Sequence, residues 1–119
     1  MTTTSDYTKS IIALACWRAA QTELHSAMLC VAMVFKNRAD AGWFFGDVYE
    51  NAFRWLVENP GNFPDTRDPQ FQALLNKLDL VLEGTAADKT GGALYFTSRL
   101  EEKIEGTITT TVGGLTFVR

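Results

Sequence analysis

The residues able to do chemistry in this chain are its carboxylates. A lone His25 has no distinctive Ser or Cys context, so no nucleophile and base can be paired, and it reads as a surface or turn histidine. The glycine pairs 91–92 and 113–114 are not followed by a lysine-bearing helix, which excludes a phosphate loop. No cluster of His, Cys, Asp and Glu has metal-ligand spacing, so no metal site is expected. Glu23 stands apart because it follows a strongly apolar segment and precedes another. A carboxyl group at the end of a buried helix is partly desolvated, which raises its pKa and suits it to general acid work near neutral pH. The competing reading is a solvated turn residue. Glu50 fits a capping box with Asp47, Glu101, Glu102 and Glu105 fit a solvated loop or strand edge, and Asp88 fits a turn-initiating side chain before Gly91.

The elements that must position these groups follow from the patterning. Asp6 or Ser5 can cap a helix beginning near Tyr7, and between residues 11 and 20 only Arg18 is polar, so this helix belongs inside the fold. The run 27–35 is continuously apolar and rich in Ala, Met, Leu and Cys, which favours a second helix, with Ser26 as cap and Asp40-Ala41-Gly42 as its end. Asp47 and Glu50 open a third helix that runs to about Glu58 and stops at Asn59-Pro60-Gly61. Asp68 caps a fourth, Pro69 takes its first position, Gly84 closes it, and Phe71, Leu74, Leu75, Leu78 and Leu82 draw its apolar stripe. Residues 93–97 read as a strand behind the turn 88–92. Residues 107–112 and 115–118 flank Gly113-Gly114 as a hairpin in which Val112 and Leu115 pair. Four helices followed by a small antiparallel β-sheet make an α+β fold.

With 119 residues, 46% hydrophobic and 21% charged, the chain suits one globular domain, residues 1–119, with residues 1–6 as a flexible N-terminus. Fourteen acidic and eleven basic residues give a net charge of −3, which offers no field for nucleic acid. The longest apolar run, 27–35, is too short to span a membrane. The N-terminus lacks the pattern of a secretory signal, so the expected location is the cytoplasm as synthesised, with release by lysis or carriage in a virion. Cys16 and Cys30 sit symmetrically about Glu23 and read as two buried thiols in preference to a disulfide. Trp17 reads as core. Trp43, Phe44 and Phe45 follow a helix end, where they either pack inside or line a groove on which sugar rings stack.

Two segments carry a family resemblance. Cys30-Val31-Ala32-Met33-Val34-Phe35-Lys36-Asn37-Arg38 and Asp88-Lys89-Thr90-Gly91-Gly92-Ala93-Leu94-Tyr95-Phe96 occur in the order and spacing of the cell-wall hydrolases of the spore-cortex-lytic-enzyme type. The chain resembles that family from about residue 11 to its C-terminus, including the helix that opens at Asp68-Pro69-Gln70-Phe71 and the last strand Thr116-Phe117-Val118-Arg119. The resemblance implies a lysozyme-like α+β domain that acts on the glycan strands of peptidoglycan without a cofactor. It also implies one Glu as acid and base, with Thr90 and Tyr95, alongside Trp43, contacting the substrate. In the family an early helix ends in the catalytic Glu, followed by Ala-Arg-Gly-Glu. Counted back from Asn37 without gaps, that Glu falls on Ala19, and Glu23 falls on the second Glu. Glu23 becomes the acid if the connection before Ser26 is shorter by one helical turn, since positions 19 and 23 share a helix face. Three readings follow: a lytic transglycosylase or muramidase using Glu23, a glycan-binding or phage structural descendant without catalysis, and an unrelated helical interaction module.

Overall fold

A computed structural model describes residues 6–20, 25–42, 46–59, 67–84, 87–97, 106–112 and 114–119. Among them are four helices followed by a three-stranded antiparallel sheet, the α+β architecture expected from the patterning. The helices are α1 (Asp6–Ala19), α2 (His25–Ala41), α3 (Val48–Glu58) and α4 (Pro69–Leu82). The strands are β1 (Tyr95–Thr97), β2 (Ile108–Val112) and β3 (Leu115–Val118), in the order β1-β3-β2.

Helix α2 is the axis of the molecule. Six successive residues, Cys30 to Phe35, are buried, and six positions 100° apart go more than once around a helix. The middle of the helix is therefore enclosed, packed by α1, α3, α4 and the sheet. Helix α1 buries Ile12, Ala13, Ala15 and Cys16 and touches the other three helices. Trp17 packs edge-on against Phe71 of α4, ring centroids 5.8 Å apart. A Lys9–Asp79 ion pair of 3.1 Å joins the same two helices nearer the surface.

The helix ends follow their local chemistry with one exception. Asp47 accepts the Glu50 amide at 2.9 Å, and Asp68 accepts the Gln70 amide at 2.7 Å with Pro69 in the first turn. Asn59 closes α3 twice through the Trp55 carbonyl, by its backbone and its side-chain amide, both at 2.9 Å. Ser26, expected as the cap of α2, instead lies in its first turn, because the helix already includes His25. The buried stripe of α4 is Phe71, Leu74, Leu78 and Val81. Leu75 and Leu82 lie beside it, half-buried.

The sheet attaches through aromatic rings. Phe96 on β1 pairs with Phe117 on β3 and also meets Phe35 of α2 and Trp55 of α3, at centroid distances of 6.4, 6.1 and 5.8 Å. Val112 of β2 stands opposite Leu115 of β3, as the sequence predicts. Strand β1 starts at Tyr95, two residues later than expected. The carbonyls of Ala93 and Leu94 are taken by side chains from α2 and not by a neighbouring strand.

Cys16 and Cys30 are free buried thiols. Burial pushes both thiols up, Cys16 far above its usual 9.0, and the charge of Asp88 adds to the shift at Cys30. A thiol reagent is therefore expected to leave Cys16 unmodified in the native protein and to count two thiols in denaturant. Modification of Cys16 at the rate of a free thiol under native conditions would contradict this packing.

Candidate functional site

The two segments that carry the resemblance meet in space. Asn37 and Arg38, near the C-terminal end of α2, hold the turn that leads from Asp88 into β1. The Asn37 side-chain amide donates to Asp88 Oδ2 at 3.1 Å, to Thr90 Oγ1 at 3.4 Å and to the Ala93 carbonyl at 3.0 Å. Arg38 Nε donates to the Leu94 carbonyl at 2.7 Å, and its guanidinium lies 5.4 Å from the centre of the Tyr95 ring. Burial lowers the Arg38 pKa below its usual value, with Tyr95 and Glu58 pulling the other way.

Asp88 organises the turn from inside. Its Oδ1 accepts the Thr90 amide at 2.8 Å and the Thr90 hydroxyl at 2.5 Å, while Oδ2 accepts the Gly92 amide at 3.0 Å. These donors, with Asn37, hold the carboxyl below its ordinary 3.8 against a desolvation that is the largest single influence and acts upward. Gly91 and Gly92 have φ of +66° and +83°, two successive left-handed residues, which explains the glycine pair. A side chain at Gly91 would in addition begin 3.3 Å from the Cβ of Thr109.

This geometry gives one of the expected residues a structural role. Thr90 is fully buried, and its hydroxyl is fully used: it donates to Asp88 and accepts from the Ala93 amide at 3.2 Å and from Asn37. Thr90 thus holds the turn together from inside. Tyr95 is half-buried at the start of β1, beside Arg38. Glu23 and Trp43 lie outside the described residues.

The other end of α2 is the junction with α1. Ala19, the position that the gapless count assigns to the family's Glu, ends α1 half-buried against the core. Ala20 is buried, and its amide donates to the Cys16 carbonyl at 3.1 Å. His25 opens α2 half-buried, with Lys77 Nζ 3.0 Å from its Nδ1. The ammonium donates and the neutral ring accepts. Burial first, then the Lys77 charge, lower the His25 pKa from 6.5. The residues from His25 to Asn37 span about 18 Å along the helix, so a ligand that reaches both the junction and Tyr95 must be long.

A groove lies between α2 and α4. It holds about 220 Å³ and is lined by Ser26, Leu29 and Met33 of α2, by Leu80 and Val81 of α4, and by Lys77 and Lys89. Neither lysine stands out in the sequence, because they come from separate segments with no local motif. Among the described residues, no group of three or more His, Cys, Asp and Glu could hold a metal ion, and no helix is long and apolar enough to cross a membrane.

No family model matches the sequence, and no curated protein does. Solved structures match its fold from end to end. The chain is similar to the catalytic domain of the germination-specific lytic transglycosylase SleB from Bacillus anthracis, with a TM-score of 0.72 at 20% identity, over 100% of this chain and 99% of that one. It is similar also to the catalytic domain of the Bacillus cereus SleB protein, with a TM-score of 0.71 at 19% identity, over 100% and 94%. The fold is thus that of the SleB catalytic domains, in agreement with the resemblance read from the two motifs.

Proposed function

We propose that this chain acts on the glycan strands of peptidoglycan as a lytic transglycosylase, with Glu23 as its acid and base. The observation that carries this reading is the contact between Asn37-Arg38 and the 88–94 turn, within a fold that matches SleB catalytic domains along its whole length. The neutral Glu23 carboxyl donates its proton to the glycosidic oxygen as the bond breaks and the sugar gains oxocarbenium character. A hydroxyl of the same sugar then attacks the anomeric carbon and returns its proton to the Glu23 carboxylate. The product is an intramolecular anhydro ring, and no second carboxylate is needed to place a nucleophile or activate water. The sequence offers no convincing second carboxylate, which favours this route over hydrolysis. Tyr95 and Trp43 are the proposed glycan contacts.

A second reading is favoured by Ala19, which cannot donate a proton at the position that the gapless count gives to the acid. In that reading the domain binds glycan without cutting it. Incubation with a suspension of purified peptidoglycan separates the two. The enzyme is expected to sediment with the suspension and to clear it. Sedimentation of folded protein without clearing would select the binding reading, and absence of both would remove the glycan from the account.

A further inference from the structure

The groove between α2 and α4 has a chemistry that uncharged sugars do not match. Its walls are the side chains of Leu29, Met33, Leu80 and Val81, with Leu80 still 54% exposed, and two lysines from different segments line it. At about 220 Å³ it is smaller than the roughly 300–1,000 Å³ of pockets that enclose a whole small molecule. It therefore suits one arm of a larger ligand, an arm with small apolar groups and negative charge. Its course is equally specific. Ser26, three residues after Glu23 in the chain, lies at the α1–α2 junction, and Lys89 neighbours Asp88 in the turn held by Asn37. The groove thus has Ser26 in the first turn of α2 and Lys89 in the turn that leads to β1 among its lining residues.

The geometry points to this groove as the seat of the peptide arm of peptidoglycan, the short alanine-containing, carboxylate-bearing peptide attached to the sugar. Methyl groups of the arm lie against the leucine and methionine walls, and its carboxylates pair with Lys77 and Lys89. Lys77 already donates to His25, so an incoming carboxylate meets an ammonium held in place at the groove. Asp88, the acidic group nearest Lys89 in the chain, is committed to the Thr90 and Gly92 amides and to Asn37. The assignment rests on the glycan reading above and names the part of the substrate that this face recognises.

Calorimetric titration of the full chain with two probes tests it. One is the free tetrapeptide L-Ala-D-Glu-diaminopimelate-D-Ala, and the other is glycan strands stripped of peptide. Both are expected to bind. The Lys77→Gln/Lys89→Gln double variant is expected to weaken tetrapeptide binding by about tenfold or more and to leave stripped-glycan binding unchanged. Circular dichroism verifies that the variant folds; both lysines are exposed. Binding of stripped glycan without the tetrapeptide, or tetrapeptide binding indifferent to the two lysines, overturns the groove assignment alone. Binding of the tetrapeptide without stripped glycan supports the groove and overturns the glycan reading. Binding of neither overturns both.

Discussion

Glu23→Gln is expected to lower the release of soluble products from peptidoglycan by about two to four orders of magnitude, while sedimentation with peptidoglycan persists. Glutamine keeps the size and polarity of the side chain but has no acidic proton to give the leaving oxygen. If Glu23 is the acid, loss of the proton leaves binding and removes most of the rate. A Glu23→Gln variant that solubilises peptidoglycan as fast as the parent chain would overturn the assignment of Glu23. Ala19→Glu supplies the companion experiment. If the acid position belongs to Ala19, the parent chain is inactive and this substitution creates activity. If Glu23 already serves, Ala19→Glu adds a second carboxylate four residues earlier in the chain and is not expected to raise the rate.

Asp88→Ala is expected to destabilise the fold by about 2–4 kcal/mol in denaturant unfolding. The substitution leaves the Thr90 amide and hydroxyl, the Gly92 amide and one Asn37 bond without their acceptor, and Thr90 is fully buried. Asn37→Ala should overlap with it strongly, because both remove the Asn37–Asp88 bond and loosen the same turn. The double variant is expected to lose less than the two single losses combined. A loss under about 0.5 kcal/mol for Asp88→Ala, the range of ordinary surface substitutions, would contradict the organising role given to this carboxylate. The same bonds set a pH dependence. The Asp88 pKa is lower in the folded protein than its ordinary 3.8. The contribution of Asp88 is therefore present above about pH 4 and is lost as the pH falls below it through the folded value. In Asp88→Ala that part of the acid limb should disappear.

Much of the fold is legible because its signals are local. Asp47 and Asp68 cap their helices by reaching amides two or three residues away, and Val112 pairs with Leu115 between strands that follow each other in the chain. The continuous apolar run 27–35 announces an enclosed helix. What the sequence hides depends on distant partners. Just before β1, Asn37 and Arg38, 56 residues away, take the Ala93 and Leu94 carbonyls, while the Leu94 amide already donates to Val118 of β3. The role of Thr90 is hidden for the same reason. A threonine in a glycine-rich segment reads as available, and only the joint presence of Asp88, Asn37 and the Ala93 amide uses up its hydroxyl. Within the site, the two motifs are visible as a resemblance, but their physical role is not. They form a latch that fixes the turn and β1 on α2. The acid is the least legible part, since a shift of one helical turn decides between Ala19 and Glu23.

The central claim is that this domain cuts glycan strands by intramolecular attack. Its most direct test is a digest of purified peptidoglycan by the folded protein, with the soluble products identified by mass spectrometry. Anhydromuropeptides are the predicted result. Reducing-end muropeptides would contradict the transglycosylase route and require a second carboxylate to activate water. No soluble product at high protein concentration would contradict cleavage itself and leave glycan binding as the function of this fold.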